Sequence, residues 1–224
     1  TVNPVSTVVQ PADQVVCNTG LTSAVNFTGT ATSFEWTNSN NTIGLAASGT
    51  GNIPAFTAIN NGVAPVVATI TVTPSYTNGG KTCQGSPKSF TITINPSPTA
   101  GIAGSATVCQ NSASPLITFT GANGTAPYIF TYQINGGANQ TVTTIAGNSV
   151  TVNVPTGIIG SYLYRLTGVS ASTGCSQAQN ATATVTVLEL PTASISGTTA
   201  VCQNATSPLV TFTGSGSASP YTFI

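Results

Sequence analysis

The sequence predicts an all-β fold made of antiparallel β-sandwiches in tandem, and three observations support this prediction. Apolar and polar residues alternate in short segments such as 68–74 (ATITVTP), 90–95 (FTITIN), 116–121 (LITFTG) and 183–187 (ATVTV), as is typical of half-buried strands. Glycine, asparagine and proline bound these segments, and helical periodicity is absent. Threonine, a β-branched residue that suits a pleated surface, occurs 41 times in 224 residues.

The chain is almost free of charge, which excludes several classes of function. Charged residues make up 3% of it, and the net charge is zero. A chain without a basic patch is not expected to bind nucleic acid. No apolar run approaches the roughly 18 residues of a membrane-spanning helix, so we expect no membrane insertion. The sequence starts with Thr1 and has no signal peptide, so we expect a mature, trimmed or partial chain.

An internal repeat organises the sequence. Cys17 and Cys109 are 92 residues apart, Cys109 and Cys202 are 93 apart, and Phe-Thr-Gly follows ten residues after each of them. The segments 98–130 and 191–223 are identical at 19 of 33 positions. Periods of this kind indicate one folding unit per repeat.

The repeat predicts the division of the chain. Residues 1–4 look like the tail of a preceding repeat, 5–96 form a first repeat, 97–190 a second, and 191–224 the N-terminal part of a truncated third. Proline-containing junctions separate the repeats. We therefore expect a segment of a longer array.

The cysteines are predicted to form one disulfide in each complete repeat. Cys17 and Cys83 are 66 residues apart, as are Cys109 and Cys175. The equal spacing favours the pairs Cys17–Cys83 and Cys109–Cys175, each near one end of its sandwich, with Cys202 unpaired by truncation. Such loops would add about 4 kcal/mol of stability and imply an oxidising, extracytoplasmic location. The alternative is free, buried cysteines in a reducing compartment.

Aromatic residues are the candidate core of the sandwiches. Counted back from the second cysteine of each repeat, Ile70 and Val72 correspond to Tyr162 and Tyr164. A ligand-binding role for Trp36 or Tyr132, and a sugar-stacking role for Tyr128 or Tyr221, are alternatives. The predicted core aromatics are Phe27, Phe34, Trp36, Phe119, Phe130, Tyr132, Tyr162 and Tyr164.

No catalytic, metal-binding or cofactor-binding residues can be assigned from the sequence. Histidine, the usual general base and the commonest metal ligand, is absent. The three carboxylates, Asp13, Glu35 and Glu189, are far apart in sequence and too few for an evident calcium site. We therefore predict a protein that is not an enzyme and has no cofactor.

The sequence resembles a known group of bacterial surface proteins. The segments FEWTNSNNTIGLAASGTGNIPAFTAINNG (34–62) and CQGSPKSFTITINP (83–96) resemble PKD-like domains of very long secreted Bacteroidota proteins. The segment PTAGIAGSATVCQNSASPLITFTGANGTAPYIFTYQINGGANQTVTT (98–144) resembles immunoglobulin-like repeats of the same proteins. These include large cell-surface adhesins associated with gliding motility and type IX secretion.

The resemblance implies a fold and a function. It implies a PKD-like sandwich in the first repeat, immunoglobulin-like sandwiches in the second and third, and an extended array exported to the cell surface or secreted. The implied partners are neighbouring repeats and outer-membrane secretion or motility machinery. It transfers no catalytic or ligand-binding residue, and no adhesive ligand can be named.

Three hypotheses of function remain open at this stage. The first is a structural stalk of a surface adhesin. The second is self-assembly into a filament or matrix through threonine-rich edge strands with almost no protecting lysines. The third is an accessory module of a secreted polysaccharide-active enzyme, which no residue specifically favours.

Overall fold

The protein is described from a computed structural model, and the structure describes residues 2–216 and 219–224. Within these ranges the chain forms sixteen β-strands and one 3-10 helix, Asn41–Ile43. The strands are β1 (Gln14–Cys17), β2 (Ser33–Asn38), β3 (Ser48–Thr50), β4 (Val66–Asn78), β5 (Lys81–Gln84), β6 (Lys88–Asn95), β7 (Thr99–Ala103), β8 (Ala106–Cys109), β9 (Leu116–Ala122), β10 (Tyr128–Ile134), β11 (Gln140–Thr143), β12 (Ser149–Asn153), β13 (Gly160–Ala171), β14 (Ser176–Leu188), β15 (Thr192–Ser196) and β16 (Thr211–Ser215).

The first repeat is a sandwich with one regular and one irregular layer. The regular layer has the strand order β1-β6-β4-β2-β3, with β5 also paired to β4. All of these pairings are antiparallel except that of β1 with β6, which is parallel. The facing layer consists of extended segments joined by the bridges Leu21–Thr57 and Val25–Ile53. Its residues do not alternate as regularly as those of β4 and β6, which explains why the sequence does not delimit strands there.

The second repeat is a sandwich of two regular sheets. One sheet has the order β11-β10-β13-β14-β8 and the other has the order β12-β9-β7. The strand β8 again pairs parallel with the last long strand, here β14. Two facing sheets with this order have the topology of an immunoglobulin-like sandwich, as predicted.

Each sandwich buries its own apolar core. The alternating segment 90–95 buries Phe90, Ile92 and Ile94 on one face, as its period of two requires. Aromatic rings dominate the second core, where the ring centroids of Phe119 and Tyr132 lie 5.0 Å apart. Of the predicted core aromatics, the structure buries Phe27, Trp36, Phe119, Phe130, Tyr132 and Tyr164, and it leaves Phe34 and Tyr162 partly buried against the cores.

The predicted correspondence of Ile70 and Val72 with Tyr162 and Tyr164 is wrong by two residues. Val72 pairs with Trp36, and Leu166 pairs with Tyr132, so Val72 corresponds to Leu166 and Ile70 to Tyr164. The error arises because the hairpins that carry the second cysteines differ in length, so counting back from the cysteine shifts the register. Tyr162 is consequently half-buried, and its hydroxyl donates to the Ile158 carbonyl at 3.1 Å.

The third repeat, as far as the described residues extend, begins like the second. The strands β15 and β16 pair antiparallel, as β7 and β9 do. Gly104 and Gly197 occupy matching positions with φ of 115° and 111°, and a Cβ on either would strike the backbone of Leu116 or Leu209, at or just before the start of the paired strand. These two positions therefore require glycine for the same reason.

The glycine of the Phe-Thr-Gly motif makes room for a tyrosine ring. A Cβ at Gly121 would lie 2.7 Å from the ring of Tyr128, and Gly214 is packed against Tyr221 in the same way. The Tyr128 hydroxyl donates to the Gly124 carbonyl at 2.6 Å, which holds the ring in place. In the first repeat the corresponding Gly29 instead approaches the Thr7 backbone.

We expect Gly121→Ala to destabilise the second sandwich, because the added methyl group overlaps the fixed ring of Tyr128. Overpacking of this kind costs about 1–3 kcal/mol. The measurement is the free energy of unfolding in urea. Gly101→Ala is the matched control, because a Cβ there has no heavy atom within 4 Å. Equal stability of the two variants would contradict the role assigned to Gly121.

Candidate functional site

Titratable side chains in the described part of the chain take part in local hydrogen bonds. Within residues 2–216 and 219–224, no three His, Cys, Asp or Glu side chains lie close enough to hold a metal ion. Asp13 Oδ1 instead accepts a hydrogen bond from the Thr91 amide at 2.6 Å, and Arg165 Nε donates to Asn180 Oδ1 at 3.0 Å. The Asp13 carboxylate therefore binds a backbone amide, and the Arg165 guanidinium binds a neighbouring side chain.

The aromatic rings with alternative binding roles in the complete repeats are buried. Tyr128 is 1% exposed, and Trp36 and Tyr132 are 6% and 5% exposed. A ring that stacks on a sugar must present a face to solvent, so these three fill the core instead.

No helix in the part of the chain that the structure describes is long and apolar enough to cross a membrane.

The two ends of each sandwich differ, and the difference decides where the cysteines lie. We call the end where the last long strand finishes, at Asn95 or Leu188, the exit end. We call the opposite end, with the hairpin β4–β5 or β13–β14, the hairpin end. Cys17 aligns with Asn95, and Cys109 aligns with Leu188, so both lie at exit ends. Cys83 and Cys175 lie at hairpin ends.

The structure corrects the predicted disulfides. Cys17 bonds to Cys175, with a Cα–Cα distance of 5.6 Å and 158 residues between them in sequence. The predicted pairs Cys17–Cys83 and Cys109–Cys175 are therefore not formed. The bond joins the exit end of the first repeat to the hairpin end of the second. Among the described residues, Cys83, Cys109 and Cys202 are free and exposed.

Strand length explains why the predicted pairs do not form. Val66, at the exit end of β4, pairs with Ile94, whereas Tyr76, ten residues further along, pairs with Cys83. Ten residues of strand span roughly 33 Å. The Cα atoms of a disulfide lie within about 7 Å of each other, so the two cysteines of one repeat are much too far apart.

The equal spacing of 66 residues therefore has a different origin from the predicted one. It arises because each repeat has one cysteine at the exit end and one at the hairpin end, and not because those two are bonded. The sequence pattern does not reveal that the short strands β1 and β8 run parallel to β6 and β14. Had the parallel pairing of β1 with β6 been recognised, Cys17 would have been placed beside the next repeat.

The junction between the first two repeats is short. The strand β6 ends at Asn95 and β7 begins at Thr99, so residues 96–98, two of them proline, connect the sandwiches. Proline restricts the backbone and limits bending. Together with the disulfide, this connection makes two covalent attachments between neighbouring sandwiches.

The core of the second sandwich contains phenol groups with perturbed acidity. Burial raises the pKa of Tyr132, whose hydroxyl donates to Gln140 Oε1 at 3.1 Å. Burial also raises the pKa of Tyr164, with smaller contributions from the negative charge that Tyr132 and Tyr162 would carry. Both groups therefore favour the neutral form, which fits a structural role in the core.

No protein-family model matches the sequence, and no curated protein is significantly similar to it. Among solved structures, the chain is similar to a mutated variant of a three-immunoglobulin-domain segment of titin, at 12% identity, with 82% of this chain and 65% of that chain covered and a TM-score of 0.48. It is also similar to fibronectin(III)-like modules of Clostridium thermocellum CbhA, at 12% identity, with 83% and 95% covered and a TM-score of 0.35. A third similar structure contains the N-terminal four immunoglobulin domains of a Dscam1 isoform, at 14% identity, with 96% and 60% covered and a TM-score of 0.27. The chain spans less than two thirds of the titin and Dscam1 segments.

We expect the stability of the second sandwich to fall as pH rises above the ordinary tyrosine pKa of about 10. The raised pKa means that the folded state binds these protons more tightly than the unfolded state, so the contribution is complete below that pH and is lost above it. The measurement is the melting temperature between about pH 8 and 11. The double variant Tyr132→Phe, Tyr164→Phe should lose less stability over this range. An equally steep loss in wild type and variant would refute the assignment.

Proposed function

We propose that the chain is a non-catalytic structural segment of the stalk of a large bacterial cell-surface adhesin. In this role successive sandwiches extend a binding tip away from the cell, and their partners are neighbouring repeats. The resemblance of segments 34–96 and 98–144 to repeats of gliding-motility adhesins favours adhesion and motility as the cellular context. It also favours type IX secretion and contact with outer-membrane machinery.

The observation that supports this proposal most is the way in which one repeat is attached to the next. The sandwiches follow each other along the chain, with three residues between β6 and β7 and a disulfide from Cys17 to Cys175. Two attachments at one junction resist bending and separation better than a single flexible linker. A stalk under drag needs this property, whereas an enzyme accessory module has no evident use for it.

The chemistry of the chain favours an extracytoplasmic location. Disulfides form and persist in oxidising compartments and are rare in the cytosol. The near absence of charge leaves a hydroxyl- and amide-rich surface that is not expected to attract nucleic acid or anionic lipid. Both features fit a cell-surface or secreted array.

Immunogold electron microscopy of intact cells tests the stalk, using an antibody raised against residues 98–190. We expect label along thin fibres that project from the surface, because the repeats would form the length of the fibre. Cells treated with preimmune serum are the control. Label confined to a soluble secreted protein would instead favour the accessory module of a secreted enzyme.

We expect the length of the segment to be insensitive to salt. A charged linker contracts as salt screens its self-repulsion, but this chain carries three positive and three negative side chains in 224 residues. Small-angle X-ray scattering should give the same maximum dimension at about 0.05 M and about 1 M salt, across which the Debye length falls several-fold. A marked contraction would show that charge, and not the junctions, sets the length.

Self-assembly is the second candidate, and one observation favours it. The strands β11 (Gln140–Thr143) and β12 (Ser149–Asn153) lie at the edges of the two sheets of the second repeat, and neither contains a charged residue that would hinder pairing with another chain. A strand from a neighbouring molecule could pair with either edge. The forward scattering from the same samples reports molecular mass. A concentration-dependent oligomer would favour a filament subunit, and a monomer would favour the stalk.

A further inference from the structure

We infer that a continuous series of disulfides joins the repeats of this protein, in which the exit-end cysteine of each repeat bonds to the hairpin-end cysteine of the next. The bond between Cys17 and Cys175 is one member of the series. The inference assigns Cys109 to the hairpin end of a complete third repeat, and Cys83 to the exit end of a preceding repeat. It rests on the proposed array, because it needs a neighbour on each side.

The exit ends of the first two repeats are alike down to individual hydrogen bonds. Cys17 and Cys109 are the last residues of β1 and β8, each of which pairs parallel with the last long strand of its sandwich. The amide after each cysteine donates to the end of that strand, from Asn18 to Asn95 at 2.8 Å and from Gln110 to Leu188 at 2.7 Å. Cys109 is therefore placed at the exit end of the second repeat as Cys17 is placed at the exit end of the first.

The turn that follows each exit-end cysteine is also the same. The carbonyls of Cys17 and Cys109 accept hydrogen bonds from the amide three residues later, at 2.8 and 3.2 Å, and the Cys202 carbonyl does so at 3.1 Å. The residue two positions after each cysteine has a positive φ of 63–65°. The exit-end cysteine thus has the same local conformation in all three repeats. Within the described residues, only Cys17 is followed by a repeat that includes its hairpin-end cysteine, Cys175.

The hairpin ends supply the second half of the arrangement. Cys175 follows the turn at residues 172–174 and is 1% exposed in its bond with Cys17. Cys83 lies in the equivalent hairpin, opposite Tyr76, and its thiol is exposed and free. Cys83 is therefore exposed at the hairpin end of the first sandwich, which is the end where a preceding repeat would attach.

Bond formation in this series is an ordinary two-electron oxidation. The thiols of Cys109 and the next hairpin cysteine lose two protons and two electrons, and one S–S bond forms between them. The electrons reduce the disulfide of a thiol–disulfide oxidant to two thiols, through a mixed disulfide. Oxidants of this class serve the extracytoplasmic compartments in which disulfide proteins mature.

The series changes how the array responds to cleavage. A cut between Cys17 and Cys175 leaves the two parts of the chain joined through sulfur. The chain segment enclosed by the next bond would start at Cys109, which lies before Cys175. The segments enclosed by successive bonds would therefore overlap along the array. The chain between Cys17 and Cys175 contains all three basic residues, Lys81, Lys88 and Arg165.

The positions of these basic residues give a direct test in the full chain. Trypsin yields the fragments 1–81, 82–88, 89–165 and 166–224, so Cys17–Cys175 and the two bonds within repeats each link a different pair of fragments. Fragment 166–224 holds both Cys175 and Cys202, and fragmentation in the mass spectrometer locates which of the two is alkylated. We block free thiols in the folded protein, digest it without reduction and identify linked fragments by mass spectrometry. The inference expects 1–81 linked to 166–224, with 82–88 and 89–165 both alkylated. Linkage of 1–81 to 82–88, and of 89–165 to 166–224, would overturn it.

The assignment of Cys109 is tested in a chain with a completed third repeat. Phe223 aligns with Phe130, so a second copy of residues 132–190 is appended after Ile224. We expect Cys109 to lose its alkylation and fragment 89–165 to link to the appended copy of Cys175. Cys109→Ser is the matched control, and should make the appended cysteine alkylatable while the bond from Cys17 to Cys175 remains. Continued alkylation of Cys109, or a bond from Cys202 to the appended cysteine, would overturn the inference.

Failure of this inference and failure of the proposed function give different results. Disulfides within each repeat would overturn the proposed series of bonds between repeats, but the immunogold label on surface fibres would be unchanged. Surface fibres that lack label would end the stalk proposal even if the tryptic fragments link as expected. Linkage between an isotopically labelled and an unlabelled molecule would show bonds between chains, and would also overturn the inference.

Discussion

The parallel pairing of one short strand with the last strand of each sandwich is the constraint on which the rest of the arrangement depends. Because β1 runs in the same direction as β6, it finishes where the sandwich finishes, and Cys17 reaches the neighbouring repeat. An antiparallel strand of the same sequence would bring that cysteine toward the hairpin end. The direction of a four-residue strand therefore places the cysteine where it can join two sandwiches.

The surface of the sandwiches depends on hydroxyl groups where most proteins use charges. Across neighbouring strands, Thr71 and Ser89 share a hydrogen bond of 2.9 Å, and Thr120 and Ser149 share another of 2.9 Å. Such cross-strand pairs contribute on the order of 0.2–1 kcal/mol each. Unlike exposed ion pairs, they do not weaken as salt rises. A surface of this kind keeps the same strand pairing over a wide range of ionic strength.

Much of the fold could be predicted from the sequence, but the connections between repeats could not. Alternation predicted the segments that became β6 and β9, because a period of two assigns each side chain to a face. The same alternation does not reveal which strand lies beside β1 or β8, since pairing partner and direction are tertiary properties. The spacing of the cysteines was ambiguous for the same reason, because equivalent positions in tandem repeats are equally spaced whatever they bond to.

The disulfide joins two sandwiches that do not need it for their own cores. A sandwich of this size buries a core of its own, including Phe90 in the first repeat and Phe119 in the second, and chains of this length fold without disulfides. The junction at residues 96–98 is a single short connection, in which Pro96 and Pro98 are buried. The bond from Cys17 to Cys175 adds a second covalent attachment between two bodies that each have a core, and so restricts their relative movement more than it stabilises either core.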